Sequence, residues 1–176
     1  MANLTTTGTE RITFFVPGIP RPGGSKKGFY NPKAGRVLIV KAGGKREENW
    51  RQAVSFAAMH AMGERPPFAG PVLADAVFYM PRPKSHYRTG KHAGELRPDA
   101  PTVHTKKPDL TKLWRGTEDA MTGIVWQDDS LRWEGRQTKL YGERPGAMIC
   151  VILGEGPESA TYVSADALDE LLKDQP

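Results

Sequence analysis

The chain has 176 residues, a formal charge of +5 and a hydrophobic content of 38%. This length fits one domain that can bury a core without disulfides, and no stretch approaches the roughly 20 apolar residues that span a bilayer. The first residues lack the charged and apolar regions of a signal peptide. A single cysteine, Cys150, lies inside an apolar run. We therefore expect a reducing, cytoplasmic setting and no membrane partner.

The charge is unevenly distributed along the chain. Residues 155–176 contain six acidic residues and one lysine, so residues 1–154 carry a formal charge of +10. A basic body with an acidic tail is typical of proteins that bind a polyanion, although many basic proteins bind nothing specific. We divide the chain into a domain of residues 1–154 and an acidic appendage of residues 155–176, where SADALDELLK predicts a short helix.

The first half of the domain predicts strands around one helix. RITFFVPGIP predicts a strand that prolines end, RPGGSKKGFYNPKAG predicts a loop, and RVLIV predicts a second short strand. Apolar residues at intervals of three and four predict a helix from about Lys45 to Met62, which Gly63 ends. GPVLADAVFYM predicts another strand, which ends at Pro81.

A long basic segment follows, with the sequence PRPKSHYRTGKHAGELRPDAPTVHTKKP. It contains five prolines, three histidines and a net charge of +5. A segment of this length without a periodic pattern is usually functional or disordered. The composition of this insertion, about 81–107, suits a loop that follows a phosphate backbone as well as a solvated insertion. Its histidines are irregularly spaced with no cysteine nearby, so we predict no zinc site there.

The second half of the domain begins with a helix from Asp109 to about Thr122, which has a single apolar stripe. IVWQD predicts the strand after it, and AMICVIL predicts the last strand, with the basic segment RWEGRQTKLYGERPG between them. Asp109 follows two lysines and a proline in TKKPDLTKLW. A carboxylate at a helix start suits N-capping, which stabilises a helix by ~1 kcal/mol. The same carboxylate could instead bind a metal ion beside a phosphate.

The return of the chain after this helix makes the two roles of Asp109 compatible. The helix climbs about 20 Å at 1.5 Å per residue, and an extended segment Gly123–Asp129 descends about as far. An antiparallel return would therefore bring Asp128 and Asp129 level with Asp109. Three such carboxylates suit Mg²⁺ or Mn²⁺, which bind oxygen ligands and phosphate. We expect Asp109 both to cap its helix and to bind the ion.

Basic side chains surround this predicted metal site. Arg115, on the exposed side of the helix, would stabilise negative charge in the transition state of phosphate hydrolysis. Flanking phosphates would be held by Lys106, Lys107 and Lys112. Asp119 is ten residues farther along the helix, which places it ~15 Å from Asp109. We interpret Asp119 as a surface or salt-bridge residue.

These residues together resemble a known family. The string KPDLTKL…RGTEDAMTGIVWQDDSL is similar to the signature of RusA-type endodeoxyribonucleases, which resolve four-way (Holliday) DNA junctions and are common in phages and prophages. The resemblance also covers FFVPGIPRP and the helix around Trp50, and thus most of residues 11–153 apart from the insertion. It implies a small single α/β (α+β) domain with a mixed β-sheet packed against two main helices. It also implies a homodimer, whose two-fold axis would match that of the junction.

The resemblance assigns roles to individual residues. It implies that Asp109 and Asp129, with Asp128 beside it, are catalytic and bind Mg²⁺, for which Mn²⁺ could substitute, and that no organic cofactor is used. Arg115 takes the position of the catalytic lysine. Thr111 stands where the family has a second aspartate. Either Asp128 supplies the missing charge, or the site binds metal weakly and the protein binds junctions more than it cuts them.

The implied function is Mg²⁺-dependent resolution of four-way DNA junctions by paired symmetric nicks, in recombination and repair. A phage-encoded enzyme of this kind would act in the cytoplasm of its bacterial host. The basic loops 21–33 and 81–107 would line the DNA face, with contacts from Lys26, Lys27, Lys106, Lys107, Lys112, Arg115 and Arg132. The alternatives are a non-catalytic branched-DNA-binding protein and a nuclease for flaps or forks. Trp133 is either an exposed DNA contact or, more simply, a core residue.

Overall fold

A computed structural model describes residues 10–24, 26–41 and 44–154 of the chain. The predicted tail helix within residues 155–176 lies outside the described residues, so the division of the chain near residue 154 stays a prediction. None of the helices in the described ranges combines the length and the apolar character that a membrane span needs.

One mixed sheet forms the centre of the domain. Its strands are β1 (Arg11–Pro17), β4 (Val72–Pro81), β5 (Arg132–Glu134), β6 (Gln137–Gly142) and β7 (Gly146–Leu153). Strand β7 lies between β1 and β4 and runs antiparallel to both, whereas β5 and β6 pair one after the other with β4 in parallel. The predicted fold class, a mixed sheet with two main helices, is confirmed.

Two helices cover one face of this sheet. Helix α1 (Gly44–Met62) and helix α2 (Leu110–Met121) match the predicted helices to within one or two residues. Trp50 Nε1 of α1 donates to Thr117 Oγ1 of α2 at 3.2 Å, and Ser55 Oγ donates to the Ala120 carbonyl at 2.9 Å. The helices and sheet share one apolar core, in which these polar groups are satisfied by partners of their own.

A separate hairpin replaces part of the predicted loop. Strand β2 (Lys26–Asn31) pairs antiparallel with β3 (Arg36–Lys41) in a two-stranded sheet of its own. RVLIV is a strand as predicted, but KKGFYN was wrongly predicted to be part of a loop. Its glycine and the proline that follows are typical of loops, so the sequence pattern does not indicate a strand. The strand forms because β3 supplies its hydrogen-bonding partner.

The segment after α2 is also different from the prediction. IVWQD is a turn rather than a strand: the N–H groups of Ile124 and Val125 both donate to the Met121 carbonyl, at 3.0 and 2.9 Å. Val125 and Trp126 are fully buried. A short apolar run therefore marks a buried turn here, and composition alone does not distinguish such a turn from a buried strand.

Candidate active site

Asp109 lies at the N-cap position of α2, as predicted, but it does not cap the helix. Its backbone is extended, and its side chain makes no capping hydrogen bond. Instead, Lys112 Nζ lies 3.1 Å from Asp109 Oδ2, and both side chains are more than half exposed. The predicted capping role is wrong because an i,i+3 lysine competes for the carboxylate. The carboxylate therefore faces solvent, where a ligand can reach it.

A shallow depression of about 470 Å³ surrounds this carboxylate. It is lined by Arg21, Pro22, Lys107, Pro108, Asp109 and Lys112. Three cationic side chains around one carboxylate suit a phosphate group together with a metal cation. Sequence reasoning included Arg21 in a basic loop but did not identify it as a site residue, because no local pattern links it to α2.

A close contact between the first loop and α2 brings Arg21 to this depression. Gly23 N donates to the Lys112 carbonyl at 2.9 Å, and a Cβ atom on Gly116 would lie 2.6 Å from Gly23 N. Both positions must therefore be glycine for the loop to cross the helix this closely. Arg115 lies under the same loop, since a Cβ atom on Gly24 would be 3.5 Å from Arg115 Nε.

Lys139 of β6 fixes the segment that leads into Asp109. Its Nζ donates to the carbonyl of Lys106 at 2.7 Å and to the carbonyl of Pro108 at 2.6 Å. Charge-assisted hydrogen bonds of this length are the stronger kind. Sequence reasoning missed this lysine, because its partners lie more than thirty residues earlier.

The basic insertion packs against the same strand. The rings of His86 and His104 both pack against the ring of Tyr141 of β6, with 4.6 Å between ring centroids in each pair. The Arg82 guanidinium carbon lies 5.7 Å from the centroid of the Tyr141 ring. Backbone hydrogen bonds also join Tyr141 N to Thr102 and His104 N to Lys139. The insertion is therefore anchored to the sheet at both of its ends.

We expect His104 to make this anchor sensitive to acid. Burial, followed by the charges of Lys139 and Lys106, lowers the pKa of His104 below its ordinary value of 6.5. The unfolded chain therefore binds the proton more readily, and stability contributed by neutral His104 is lost as the pH falls below about 6.5. Thermal unfolding between pH 7.5 and 5 should show this loss in the wild type and a smaller loss in His104→Phe.

The exposed His60 of α1 provides the matched control for this experiment. His60→Phe should keep the wild-type dependence of stability on pH. Equal slopes for wild type and His104→Phe would mean that another group causes the loss of stability in acid.

Asp128 and Asp129 lie in an exposed turn before β5. Ser130 N donates to Asp128 Oδ1 at 2.9 Å, and Asp129 begins a short 3₁₀ helix, Asp129–Leu131. Hydrogen bonds from the side chain and the backbone of Ser130 lower the pKa of Asp128 below its ordinary value. This shift reinforces the charged state that an exposed aspartate already has at neutral pH, and the exposed carboxylate is accessible to a cation.

The contacts on either side of this turn locate it beside the second half of α2. Trp126 Nε1 donates to Thr122 Oγ1 at 3.2 Å, and Arg132 Nε donates to Glu118 Oε1 at 2.6 Å. Asp109 lies at the opposite end, about 13 Å from Glu118 at 1.5 Å per residue.

The sheet register also separates the two regions. Arg132 pairs with Val72, whereas Lys139, which holds the residue before Asp109, pairs with Phe78 six residues along β4, or roughly 20 Å away. Among the described residues, no three His, Cys, Asp or Glu side chains lie close enough together to hold a metal ion. The predicted meeting of three carboxylates in one subunit is therefore not found, because a turn replaces the expected descending strand.

The other predicted DNA contacts differ in how accessible they are. Lys106, Lys107, Lys112 and Arg115 are exposed, as is Thr111. Lys26 and Lys27 lie on β2, but their side chains are outside the described part of the structure. Arg132 is largely buried, paired with Glu118 and 5.1 Å from the Trp114 ring. This position of Arg132 suits a role in supporting α2 better than a role in binding DNA. The DNA contact of Arg132 stays a prediction.

Two surface interpretations can be compared with the structure. Asp119 lies 3.9 Å from Arg51 of α1, which confirms a surface salt bridge. Trp133, for which the core was the simpler interpretation, is 44% exposed and donates from Nε1 to the Gly154 carbonyl at 2.9 Å. The core interpretation of Trp133 is wrong because β5 lies at the edge of the sheet, where one face of the strand meets solvent.

The fold is that of a small α+β domain, and the exposed Asp109 carboxylate lies among cationic side chains, an arrangement that suits proteins acting on nucleic-acid phosphates. The model of the family Endodeoxyribonuclease RusA matches residues 21–152. The chain therefore belongs to the RusA endodeoxyribonuclease family, as the sequence resemblance predicted. It is also 31% identical over 103 residues to the uncharacterized protein YqaN of Bacillus subtilis (strain 168), a match that covers 54% of this chain and 68% of YqaN.

Proposed function

We propose that this protein is a metal-dependent endodeoxyribonuclease that cuts four-way DNA junctions by paired, symmetric nicks. Membership of the RusA family supports the class of reaction. The observation that carries the proposal is the exposed Asp109 carboxylate in a depression lined by Arg21, Lys107 and Lys112. This depression offers an anionic ligand for a cation and cationic groups for the phosphates on either side of the cut.

The donor set fits a hard divalent cation. The Asp109 side chain is not used in capping the helix, and Asp128 is an exposed carboxylate, which is charged at neutral pH as any ordinary aspartate is. We propose Asp109, Asp128 and Asp129 as the ligands of Mg²⁺, with Mn²⁺ as a substitute. When bound, the ion supplies charge that polarises the phosphoryl group and favours attack by water.

We further propose that the metal site is shared between the two subunits of a homodimer. The contacts of Trp126, Arg132 and Lys139 support this arrangement, because they hold the Asp128–Asp129 turn and Asp109 at different ends of α2. A cation with bonds of ~2.1 Å cannot join groups this far apart within one subunit. A two-fold related copy brings Asp109 of one subunit to the turn of the other, and forms two equivalent sites.

The basic residues around Asp109 act on the DNA backbone in this proposal. Arg21 and Lys107 hold the phosphates that flank the cut, and Lys112 exchanges its Asp109 partner for a phosphate when DNA binds. Arg115 stabilises the charge that develops on the phosphate. As a guanidinium it remains protonated, so it does not donate a proton to the leaving oxygen.

A second function follows from Thr111, which stands where the family has an aspartate. A hydroxyl carries no charge to hold a cation, so the protein could bind branched DNA and cut it slowly or not at all. Cleavage of a labelled four-way junction, with and without Mg²⁺, separates the two functions. We expect paired nicks that require the ion, and no cleavage of a linear duplex of the same sequence.

Tight binding of the junction without nicks in Mg²⁺ or Mn²⁺ would support the binding protein instead. Equal cleavage of flaps, forks and four-way junctions would support a broader branched-DNA nuclease.

A further inference from the structure

The hairpin of β2 and β3 exposes apolar side chains on both of its faces. Phe29 is 50% exposed, Tyr30 is 64% exposed and Val37 is 61% exposed. The strand register places Tyr30 opposite Val37 and Phe29 opposite Leu38. Because successive residues of a strand point to opposite faces, each face carries one aromatic ring beside one aliphatic side chain. Grouped apolar exposure of this kind marks an interaction surface.

The charge of the hairpin identifies the kind of partner. Residues 26–41 contain five lysines and arginines and no acidic residue. Two hairpins from two copies of this chain would repel each other, whereas a polyanion would be attracted. Basic residues interleaved with exposed aromatic rings are typical of surfaces that bind nucleic acid with exposed bases.

The tip of the hairpin is a hydrogen-bonded turn with exposed basic side chains. Asn31 Oδ1 accepts hydrogen bonds from Lys33 N at 3.0 Å and from Ala34 N at 3.3 Å. Gly35 adopts a positive φ of 60°, which closes the turn before β3. Lys33 and Arg36 are exposed on either side of this turn. Two cations are therefore held near the tip, next to the aromatic strand.

The hairpin also begins beside the candidate active site. The chain enters β2 from Gly24, which lies against Arg115 of α2. A six-residue strand extends about 20 Å at ~3.3 Å per residue, which corresponds to roughly six nucleotides at 3.4 Å each. The hairpin can therefore contact the DNA strand that is cut, a short distance from the cut itself.

We propose that this hairpin is an arm that recognises unstacked bases in branched DNA. Tyr30, supported by Val37, forms a platform on which such a base stacks, and Lys33 and Arg36 hold the adjacent phosphates. Bases are accessible in this way where strands exchange but not within a continuous duplex, so the arm selects branched substrates. The inference rests on the proposed function for its position near the cut, but its test measures binding rather than cleavage.

The test compares the affinity of Tyr30→Ala and Tyr30→Phe for a four-way junction and for a linear duplex, with Ca²⁺ in place of Mg²⁺. We expect Tyr30→Ala to weaken junction binding about tenfold, as removal of one base-stacking ring does. Duplex binding should change less than about twofold, and Tyr30→Phe should bind as the wild type does. A 2-aminopurine base at the branch point should be quenched by the wild type and less quenched by Tyr30→Ala.

Phe56 of α1 provides the matched control, because it is another exposed aromatic residue, at 72%. Phe56→Ala should leave junction binding unchanged. Wild-type junction affinity in Tyr30→Ala, or an equal loss for junction and duplex, would overturn the stacking platform. Loss of the dimer in Tyr30→Ala, detected by light scattering, would overturn it in favour of a protein partner. If junction binding depends on Tyr30 but the wild type does not nick junctions in Mg²⁺, the proposed role of the hairpin stands and the proposed nuclease activity is refuted.

Discussion

Two inactive variants should recover junction nicking when their subunits are mixed. Asp109→Asn and the double variant Asp128→Asn/Asp129→Asn should each lose at least about a hundredfold of the cleavage rate, because changes in groups that only support metal ligands already cost 10- to 100-fold. In a mixed dimer with shared sites, one site receives all its native carboxylates and the other receives none. Random mixing leaves roughly a quarter of the sites intact. These dimers should nick one strand of the junction rather than two.

The double variant is used so that the outcome does not depend on which member of the pair binds the ion. A tag on one variant, followed by co-purification of the other, checks that subunits exchange. Asp119→Asn is the matched control, because Asp119 lies on the same helix but pairs with Arg51, and it should remain active by itself. A mixture as inactive as its components would mean that each site lies within one subunit.

Lys139→Met should slow cleavage about 10- to 100-fold while junction affinity changes little. The ammonium holds two backbone carbonyls that flank Lys107 and precede Asp109, and a carboxylate displaced by about 1 Å can lose a hundredfold in rate. Lys139 acts through Asp109 and is therefore a positioning residue. The rate is measured in single turnover with the enzyme saturated, because this readout separates cleavage from binding.

The concentration of Mg²⁺ needed for half-maximal rate gives a second readout for Lys139→Met. We expect it to rise, since a misplaced Asp109 binds the ion less well, whereas a general loss of stability would not shift it. Lys84→Met removes one positive charge from the exposed start of the insertion and should keep the single-turnover rate. An unchanged rate and metal requirement in folded Lys139→Met would show that Asp109 is positioned by other contacts.

The elements with long, regular patterns could be predicted from the sequence. Strand β7 is a continuous apolar run, β4 is apolar apart from Asp75 and its terminal Pro81, and α2 has a single apolar stripe, so pattern and fold agree. The turn at Ile124–Trp126 was mistaken for a strand because both structures bury the same kinds of side chain. Strand β2 was missed because its pairing with β3, rather than its own composition, makes it a strand.

The geometry around Asp109 differs from the one that the sequence predicted, and the roles of the predicted site residues stay predictions. Asp109 was recognised from its neighbours in the sequence, yet its carboxylate pairs with Lys112 instead of capping α2. Lys139 could not be recognised, because its role depends on the pairing of residues 102–104 with β6 across more than thirty residues. The position of Asp128 relative to α2 could not be predicted either, because it depends on how the chain turns after the helix. That turn is fixed by a local hydrogen bond from Trp126 to Thr122 and by the pairing of Trp126 with Phe68, which is a tertiary contact.

The position of β7 has a consequence for the order in which the protein is made. Within the described sheet, strand β1 hydrogen-bonds only to β7, and β7 also pairs antiparallel with β4. During synthesis, β1 and β4 therefore emerge from the ribosome before β7, the strand that pairs with both of them. Until residues 146–153 emerge, Phe14 and Val16 of β1 have no strand to pair with, and the nascent chain keeps apolar strand edges exposed. Sheet closure is thus a late event in synthesis, and such long-range pairing favours slow folding.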